Sequence, residues 1–382
     1  MRYYIRRLHK HGTVQPNSFK SHGFSAAYTL YVCASSSTPR PQLASLLRAE
    51  TSCRVEDEAN AFGENIEAFS NLILQQDDDR WSFIYTKEVR ESATAKEQAS
   101  AIMREWIQQN ADISNVRQDD SFILRFLRHK KYSIPMAQQT LLKFLSLRRY
   151  YPEIFKNLDC DDQKLKDILN NGYIVVSPVR DSKGRRVIVY NMSKFNPHKY
   201  NCWDMTRAHI LVYDSLLESD LDQMCGYVHV GDGSGVTGAH ITTWNPTDFA
   251  RLIKWGEQSM PMRHKEFHCV KVPSALKYIV DFAVTKVTPK MAKRVNIHTN
   301  LKTLHKHVST ECLPTTYGGV LNLEDMIKYT AELLRDQKKK VLALDDMEIL
   351  STRGIISSRK SKTEMVNGDV VIQGSFRKLE ID

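Results

Sequence analysis

The chain has 382 residues, 42% hydrophobic and 26% charged, with a net charge of +10. This is a globular composition, and it excludes a fibrous or wholly disordered chain. No stretch approaches the roughly 18–20 uninterrupted apolar residues of a membrane-spanning helix; the best, residues 24–34, is short and broken by Ser25 and Thr29. The seven cysteines include no CxxC pair, which argues against a thiolate zinc site or a dithiol redox motif and for reduced thiols in a cytosolic protein.

Residues 1–49 carry no Asp or Glu but seven Lys and Arg, and are rich in Ser. The whole of 1–92 reads as a largely disordered extension or a misassembled gene start, with a mitochondrial presequence as the alternative for its basic beginning. Periodicity starts after Ala93. Ala101, Ile102, Trp106 and Ile107 fall on one helical face. Asp119 and Asp120 stand as N-cap before Phe122, Ile123, Phe126 and Leu127. Pro135 opens the next helix, which ends before Pro152. Residues 93–160 therefore form a small helical module.

The pattern changes at Gly172. Residues 173–178 and 186–190 are β-rich, joined by the turn Asp181-Ser182-Lys183-Gly184. Strands are expected at 225–230, 267–272 and 295–298, and helices at 203–217, 246–259, 274–287 and 301–308. Strands separated by helices predict an α/β fold with a mostly parallel sheet over 165–325. Residues 326–382 read as a helix followed, from about Lys338, by a mobile tail.

Gly233-Ser234-Gly235-Val236-Thr237-Gly238 matches G-x-G-x-x-G after a strand. A dinucleotide site needs a helix opening at these glycines, and Thr242–Pro246 interrupts one, so an NAD-dependent oxidoreductase is disfavoured. His264 with His268, or His305 with His307, sits among basic residues that would repel a cation, and is read as structural or solvated rather than as a metal pair. No metal or catalytic residue is assigned.

Three segments together resemble the CRAL-TRIO (Sec14-like) family. They are the run 119–131 (DDSFILRFLRHKK), the hairpin from Asn171-Gly172 to Tyr190, and Leu313-Pro314-Thr315-Thr316-Tyr317-Gly318-Gly319, where Thr316 replaces the usual Glu. The nearest branch is that of α-tocopherol transfer protein, clavesin and retinaldehyde-binding protein. The resemblance implies a helical bundle followed by a sheet, with a mobile helical lid over an apolar cavity. It implies no enzymatic activity and no cofactor, only one bound hydrophobic ligand of tocopherol, retinoid or phospholipid type. The lid falls at 273–288, with Leu276, Ile279, Val280, Phe282, Ala283 and Val287 on its apolar side and Lys277, Asp281 and Thr285 on a polar stripe. Matching positions give His209, Tyr213, Tyr227, Trp255, Met260, Leu276, Ile279 and Phe282 as cavity residues. His209 and Tyr213 could anchor a hydroxyl or a carbonyl.

Twelve Lys and Arg against three acids lie within 251–310, a local charge of +9, which suits an anionic partner. Arg263 and Lys265 share a side of an extended segment, and Lys290 and Arg294 share a helical face. By resemblance these four hold a phosphoinositide headgroup. The expectation is a monomeric cytoplasmic lipid-transfer protein, peripherally associated with endosomal or other phosphoinositide-bearing membranes and with no nucleic-acid partner. The alternative is a trafficking adaptor without cargo.

Overall fold

The computed structural model describes residues 80–243 and 246–356; the extension expected over 1–79 and the tail from 357 onward lie outside the described residues. Residues 80–89 form a helix, α1, within the stretch read as an extension. It is docked through buried Tyr85 and Val89, and the Tyr85 hydroxyl donates to the Lys183 carbonyl at 2.9 Å. Ser92 then caps α2 (Ala93–Gln109), its side chain accepting from the Ala95 amide.

The α2 helix turns Ala99, Met103 and Ile107 inward at i, i+4 spacing and leaves Ile102 46% exposed. The face expected from Ala101 and Ile102 is thus rotated by about one residue, roughly 100°, with Met103 taking the buried position. Helix α3 (Asp120–His129) starts where expected, the Asp119 carboxylate accepting from the Phe122 amide. Helix α4 (Ile134–Tyr150) carries Pro135 in its first turn. Phe122, Phe126 and Phe144 pack edge-on at the α3–α4 contact, with ring centres 5.2, 5.5 and 6.2 Å apart, a favoured aromatic geometry.

After β1 (Ile113–Ser114) and α5 (Gln163–Asn170), the chain builds a five-stranded sheet in the order β2 (Ile174–Val176), β3 (Arg186–Asn191), β4 (Tyr227–Asp232), β5 (His264–Val270), β6 (Val295–His298). The β2–β3 hairpin is antiparallel and the other pairs are parallel. The parallel strands are joined through helices α6 (Cys202–Leu216), α7 (Asp220–Cys225), α8 (Pro246–Gln258), α9 (Ser274–Val284) and α10 (Pro289–Ala292). Two strands are shifted from expectation. Cys225 ends α7, and Gly226, at φ 82°, turns the chain so that β4 starts at Tyr227; β5 starts three residues earlier than expected, at His264.

The sheet's period of two separates two faces. Val187, Val189, Val228 and Val230 pack with Leu304, Leu313 and Met326 on one side, while Ile188, Tyr190 and Tyr227 join the larger core on the other. Helix α11 (Leu323–Leu342) closes the first side, and its Thr330 hydroxyl accepts from the Val176 amide at 2.9 Å.

Arg117, just before α3, and the arginines of α3 and α4 tie the helical module to α6, to the residues after it and to Glu91. Arg125 and Arg117 reach Glu218 at 2.6 and 2.8 Å, Arg128 reaches Asp220 at 2.9 Å and Glu91 at 2.7 Å, and Arg148 reaches Asp214 at 2.6 Å. Arg125, Arg148, Asp214 and Glu218 are essentially buried, so these pairs are desolvated. The chain does not become a tail at Lys338: α11 runs to Leu342, and β7 (Glu348–Ile349) returns to pair antiparallel with β1.

Candidate functional site

A cavity of about 280 Å³ lies between the sheet and helices α6, α8 and α9. The residues of β3 and β4 reach it by strand alternation: Tyr190 from β3, His229 and Gly231 from β4. On β5 the alternation is broken. The register shifts between Tyr227 and Val228, so that Tyr227 pairs with His264 but Val228 with Glu266. This irregularity at Lys265 lets His264 and Phe267, three residues apart, both face the cavity, as a bulge re-aims side chains next to a site. Phe267 stacks on the His229 ring at 4.4 Å.

Helix α9 covers the cavity with Leu276, Ile279, Val280 and Val284, and Ile279 is 1% exposed. Its opposite side carries Lys277 and Asp281, paired with each other at 2.5 Å, and Tyr278, 69% exposed. Gly233, in the glycine run, lies under this helix: a Cβ there would come within 2.9 Å of Leu276. The residue lets the lid approach β4, which gives the glycine a packing role.

Of the residues predicted from sequence, His209, Tyr213, Trp255, Met260, Leu276 and Ile279 line the cavity. Tyr227 does not; it is fully buried, with its hydroxyl on the Leu216 carbonyl at 3.3 Å. Phe282 is also outside the wall, turned to the flank of α9 where the Lys286 ammonium lies 5.1 Å from its ring centre. Tyr173, Tyr190, His229 and His264 line the wall as well, and none was anticipated. Burial holds the imidazoles of His209 and His264 down to about 4 and that of His229 well below its ordinary value, so all three are neutral near pH 7. Apart from these groups the lining is mainly aliphatic, aromatic and thioether, and it suits an apolar guest.

The basic residues sit at one end of the sheet. Arg263 donates to the Met224 carbonyl at 2.7 Å and also to Glu88 of α1; Lys265 reaches the same Glu88 carboxylate at 2.7 Å. Burial, with Arg263 beside it, brings Lys265 down to about 8. Arg294 holds the His264 carbonyl. Lys290 is exposed on α10, and its charge bears on Lys130, which burial and Lys143 also push down. Arg263, Lys265 and Arg294 are therefore one cluster with an internal carboxylate in it, and Lys290 belongs with Lys130 and Lys143. Glu88 and Lys130 could not be tied to the patch from local spacing, because both come from distant parts of the chain.

The third motif is built around its glycines. Gly318 has φ 71°, and a Cβ on Gly319 would lie 1.9 Å from the Leu313 carbonyl oxygen. Thr316 is exposed, so the departure from Glu leaves this turn intact. A family model, the CRAL/TRIO domain, matches residues 170–319. A mouse protein named alpha-tocopherol transfer protein-like is 30% identical over 239 residues, 62% of this chain and 68% of the relative. The chain belongs to the CRAL/TRIO family.

Two further CRAL/TRIO relatives are similar. The human alpha-tocopherol transfer protein-like protein is 32% identical over 222 residues, covering 57% of this chain and 64% of its own length. Clavesin-1 of Xenopus laevis is 29% identical over 248 residues, covering 65% and 75%. A solved structure of Sfh5 superposes with a TM-score of 0.43 at 14% identity, over 65% of this chain and 99% of that one. Among the described residues no helix is long and apolar enough to cross a membrane. A cluster of metal-ligating types, Asp159, Cys160 and Asp161, is bridged by the Lys338 ammonium at 2.8 and 2.6 Å from the two carboxylates.

Proposed function

We propose that this protein carries one hydrophobic molecule in the cavity beneath α9 and docks through its basic end on membranes that contain phosphoinositides. The observation that supports the first half is the lid. Helix α9 turns Leu276 and Ile279 onto an apolar cavity and keeps its charges outside; an apolar space of this kind is filled more favourably by lipid than by water. The cavity wall supplies hydrogen-bonding groups and no assembled nucleophile, which suits a carrier that performs no covalent chemistry.

For the second half, Arg263, Lys265, Arg294 and Lys290 offer one fork, one ammonium and two flanking cations, the chemistry that holds phosphate esters. The headgroup would displace Glu88 from Arg263 and Lys265, exchanging one anion for another. The protein would then work in the cytoplasm as a peripheral membrane visitor.

Native mass spectrometry and lipid extraction of protein purified without detergent test the carrier reading. One lipid per chain is the expected result. If neither extraction nor loading with a broad lipid panel gives a stoichiometric ligand, the carrier reading is lost. Flotation with phosphoinositide vesicles then decides whether an adaptor role survives alone.

A further inference from the structure

Three histidines come together where β5 and β6 meet the chain that follows them. His268 stands on β5 two residues before Val270, so it shares the face on which Val270 packs with Leu304. His298 ends β6, in register with Val270. His307 follows the short helix Leu301–Leu304, its amide donating to the Leu304 carbonyl at 2.9 Å. The ring centres of His268 and His298 are 5.1 Å apart, those of His268 and His307 5.4 Å, and those of His298 and His307 5.5 Å. His268 and His298 are buried and His307 is exposed. Local spacing pairs His264 with His268 and His305 with His307. The fold instead takes one from each pair and adds His298, while His264 faces the cavity and His305 bonds the Tyr317 carbonyl at 2.8 Å.

The outer nitrogens of the buried pair are engaged. His268 Nε2 lies 3.2 Å from one oxygen of Glu266, whose other oxygen pairs with Arg185 at 3.0 Å. A carboxylate only accepts, so His268 carries its hydrogen on Nε2 and, when neutral, a lone pair on Nδ1. His298 Nδ1 lies 3.2 Å from the Thr303 hydroxyl, which donates to the Asn300 carbonyl at 2.8 Å. With that hydrogen spent, His298 donates from Nδ1 and has its lone pair on Nε2.

The inner nitrogens, His268 Nδ1 and His298 Nε2, are 2.9 Å apart. Two lone pairs at that distance repel, so a hydrogen or a cation must stand between them. A hydrogen does so if Thr303 swings its own to His298 Nδ1 and gives up the Asn300 carbonyl, leaving His298 Nε2 to donate. A cation does so with both outer bonds kept, the arrangement by which outer-shell acceptors orient metal-bound imidazoles.

Three imidazoles set tetrahedrally around an ion, at about 2.0–2.1 Å, have ring centres about 5.2 Å apart, close to the spacing of these three. The His307 nitrogens do not converge with the other two in this conformation; its exposed ring can reach them by a change of side-chain rotamer. The charges around Glu266 balance, with Asp181 and Glu266 against Lys183 and Arg185. Imidazole ligands select borderline transition ions, and zinc takes three of them with water in the fourth position.

We propose that His268 Nδ1, His298 Nε2 and a turned-in His307 bind one zinc ion, which ties β5 and β6 to the segment 301–308. Glu266 and Thr303 are positioning residues for this site.

The experiment uses the untagged full chain, stripped with EDTA and titrated with zinc in a calorimeter. One ion per chain is expected. H307A and H298Q should each weaken it by at least about a hundredfold, beyond the loss typical of an outer-shell partner, while H198A, at an exposed histidine elsewhere, should bind as wild type. Zinc should raise the melting temperature of wild type and not of H307A, and cobalt(II) should give the visible spectrum of a tetrahedral site only in wild type. Nitrogen-15 spectra of the zinc form should show the His298 hydrogen on Nδ1. Absence of saturable zinc binding overturns the proposal. So does binding that H307A leaves unchanged, which would place the ion elsewhere, at His9, His11 and His22 or at Asp159, Cys160 and Asp161. A zinc form with the His298 hydrogen still on Nε2 overturns it as well. His307 is exposed, so H307A decides the matter even where H298Q fails to fold.

Discussion

The Glu88 carboxylate lies 2.7 Å from the Lys265 ammonium and bonds Arg263 as well. A helix from the start of the described fold thus places an anion where a phosphate group is proposed to bind. Glu88→Gln removes that charge and keeps the side chain's shape. At about 1 kcal/mol per charge near an acidic surface, affinity for phosphoinositide vesicles should rise about fivefold. Flotation at several salt concentrations measures it. Equal or weaker binding by the variant would show that Glu88 is not competing with the headgroup.

Lys290→Glu tests the outer part of the same patch. Lys290 is exposed and has no ion-pair partner among the described residues. Its reversal changes the local charge by two and, at about 1 kcal/mol per charge, should weaken vesicle binding about thirtyfold, with cargo affinity in solution unchanged. Arg294 is a poorer choice for this purpose, because its guanidinium holds the carbonyl of His264, a residue of the cavity wall. Vesicle binding at the wild-type level would remove Lys290 from the site.

Lid residues should separate by position. Ile279→Asp sets a carboxylate against the cavity when α9 is closed, at a cost of several kcal/mol unless it protonates or stays exposed. It should abolish loading while circular dichroism is retained. Phe282→Asp, on the flank of the same helix, should leave cargo affinity within about threefold, since a partly exposed surface change rarely exceeds ~0.5 kcal/mol. Equal losses from both would place Phe282 against the ligand.

Asp214 and Arg148 form a buried pair at 2.6 Å. Arg148→Ala strands the carboxylate and should destabilise the fold by about 3–5 kcal/mol, whereas the double change R148M/D214L should recover most of that. Urea denaturation of the three proteins measures both effects. A double variant as unstable as the single one would show that the pair's contribution is not its charge balance.

The histidines of the cavity wall make an acid-sensitive prediction. Burial holds His209 and His264 down to about 4, with Arg294 adding to the effect at His264. Tyr173, Tyr190, Tyr213 and His229 are hydrogen-bonded in one row with them and supply no compensating anion. The unfolded chain takes up protons near 6.5 that the folded chain refuses until about 4. Stability therefore falls as pH drops through this window, by roughly 2 kcal/mol per imidazole at pH 5. Unfolding free energies from pH 7.5 to 5 should fall accordingly, and more gently for His209→Gln; a flat profile would contradict the burial of these rings.

Much of this was legible in the sequence because local chemistry fixes it. The Asp119 cap, Pro135 in the first turn of α4, the β2–β3 hairpin and the span of α8 were visible in caps, prolines and turn residues. What was not legible depends on pairing between distant segments. The β5 irregularity at Lys265 arises from register with β4, and it decides that His264 faces the cavity. Tyr190 and His229 look like ordinary strand residues until adjacent strands and α6 are placed around them. Phe282 lies on the apolar side of α9 by periodicity, yet that side is wider than the cavity it covers.

The fastening of the helical module has a mechanical consequence. It is tied on one side by buried arginine–carboxylate pairs and on the other by β7, which pairs with β1 and is followed by the Gln139–Gly354 bond at 2.8 Å. Helix α9 has no such moorings: among the described residues its side chains make no hydrogen bond or ion pair outside the helix. Local opening follows the weakest attachments first. Helix α9 is therefore held over the cavity by apolar packing alone, through Leu276, Ile279 and Ala283, so a change that weakens that packing should ease the opening of the cavity before it loosens the helical module.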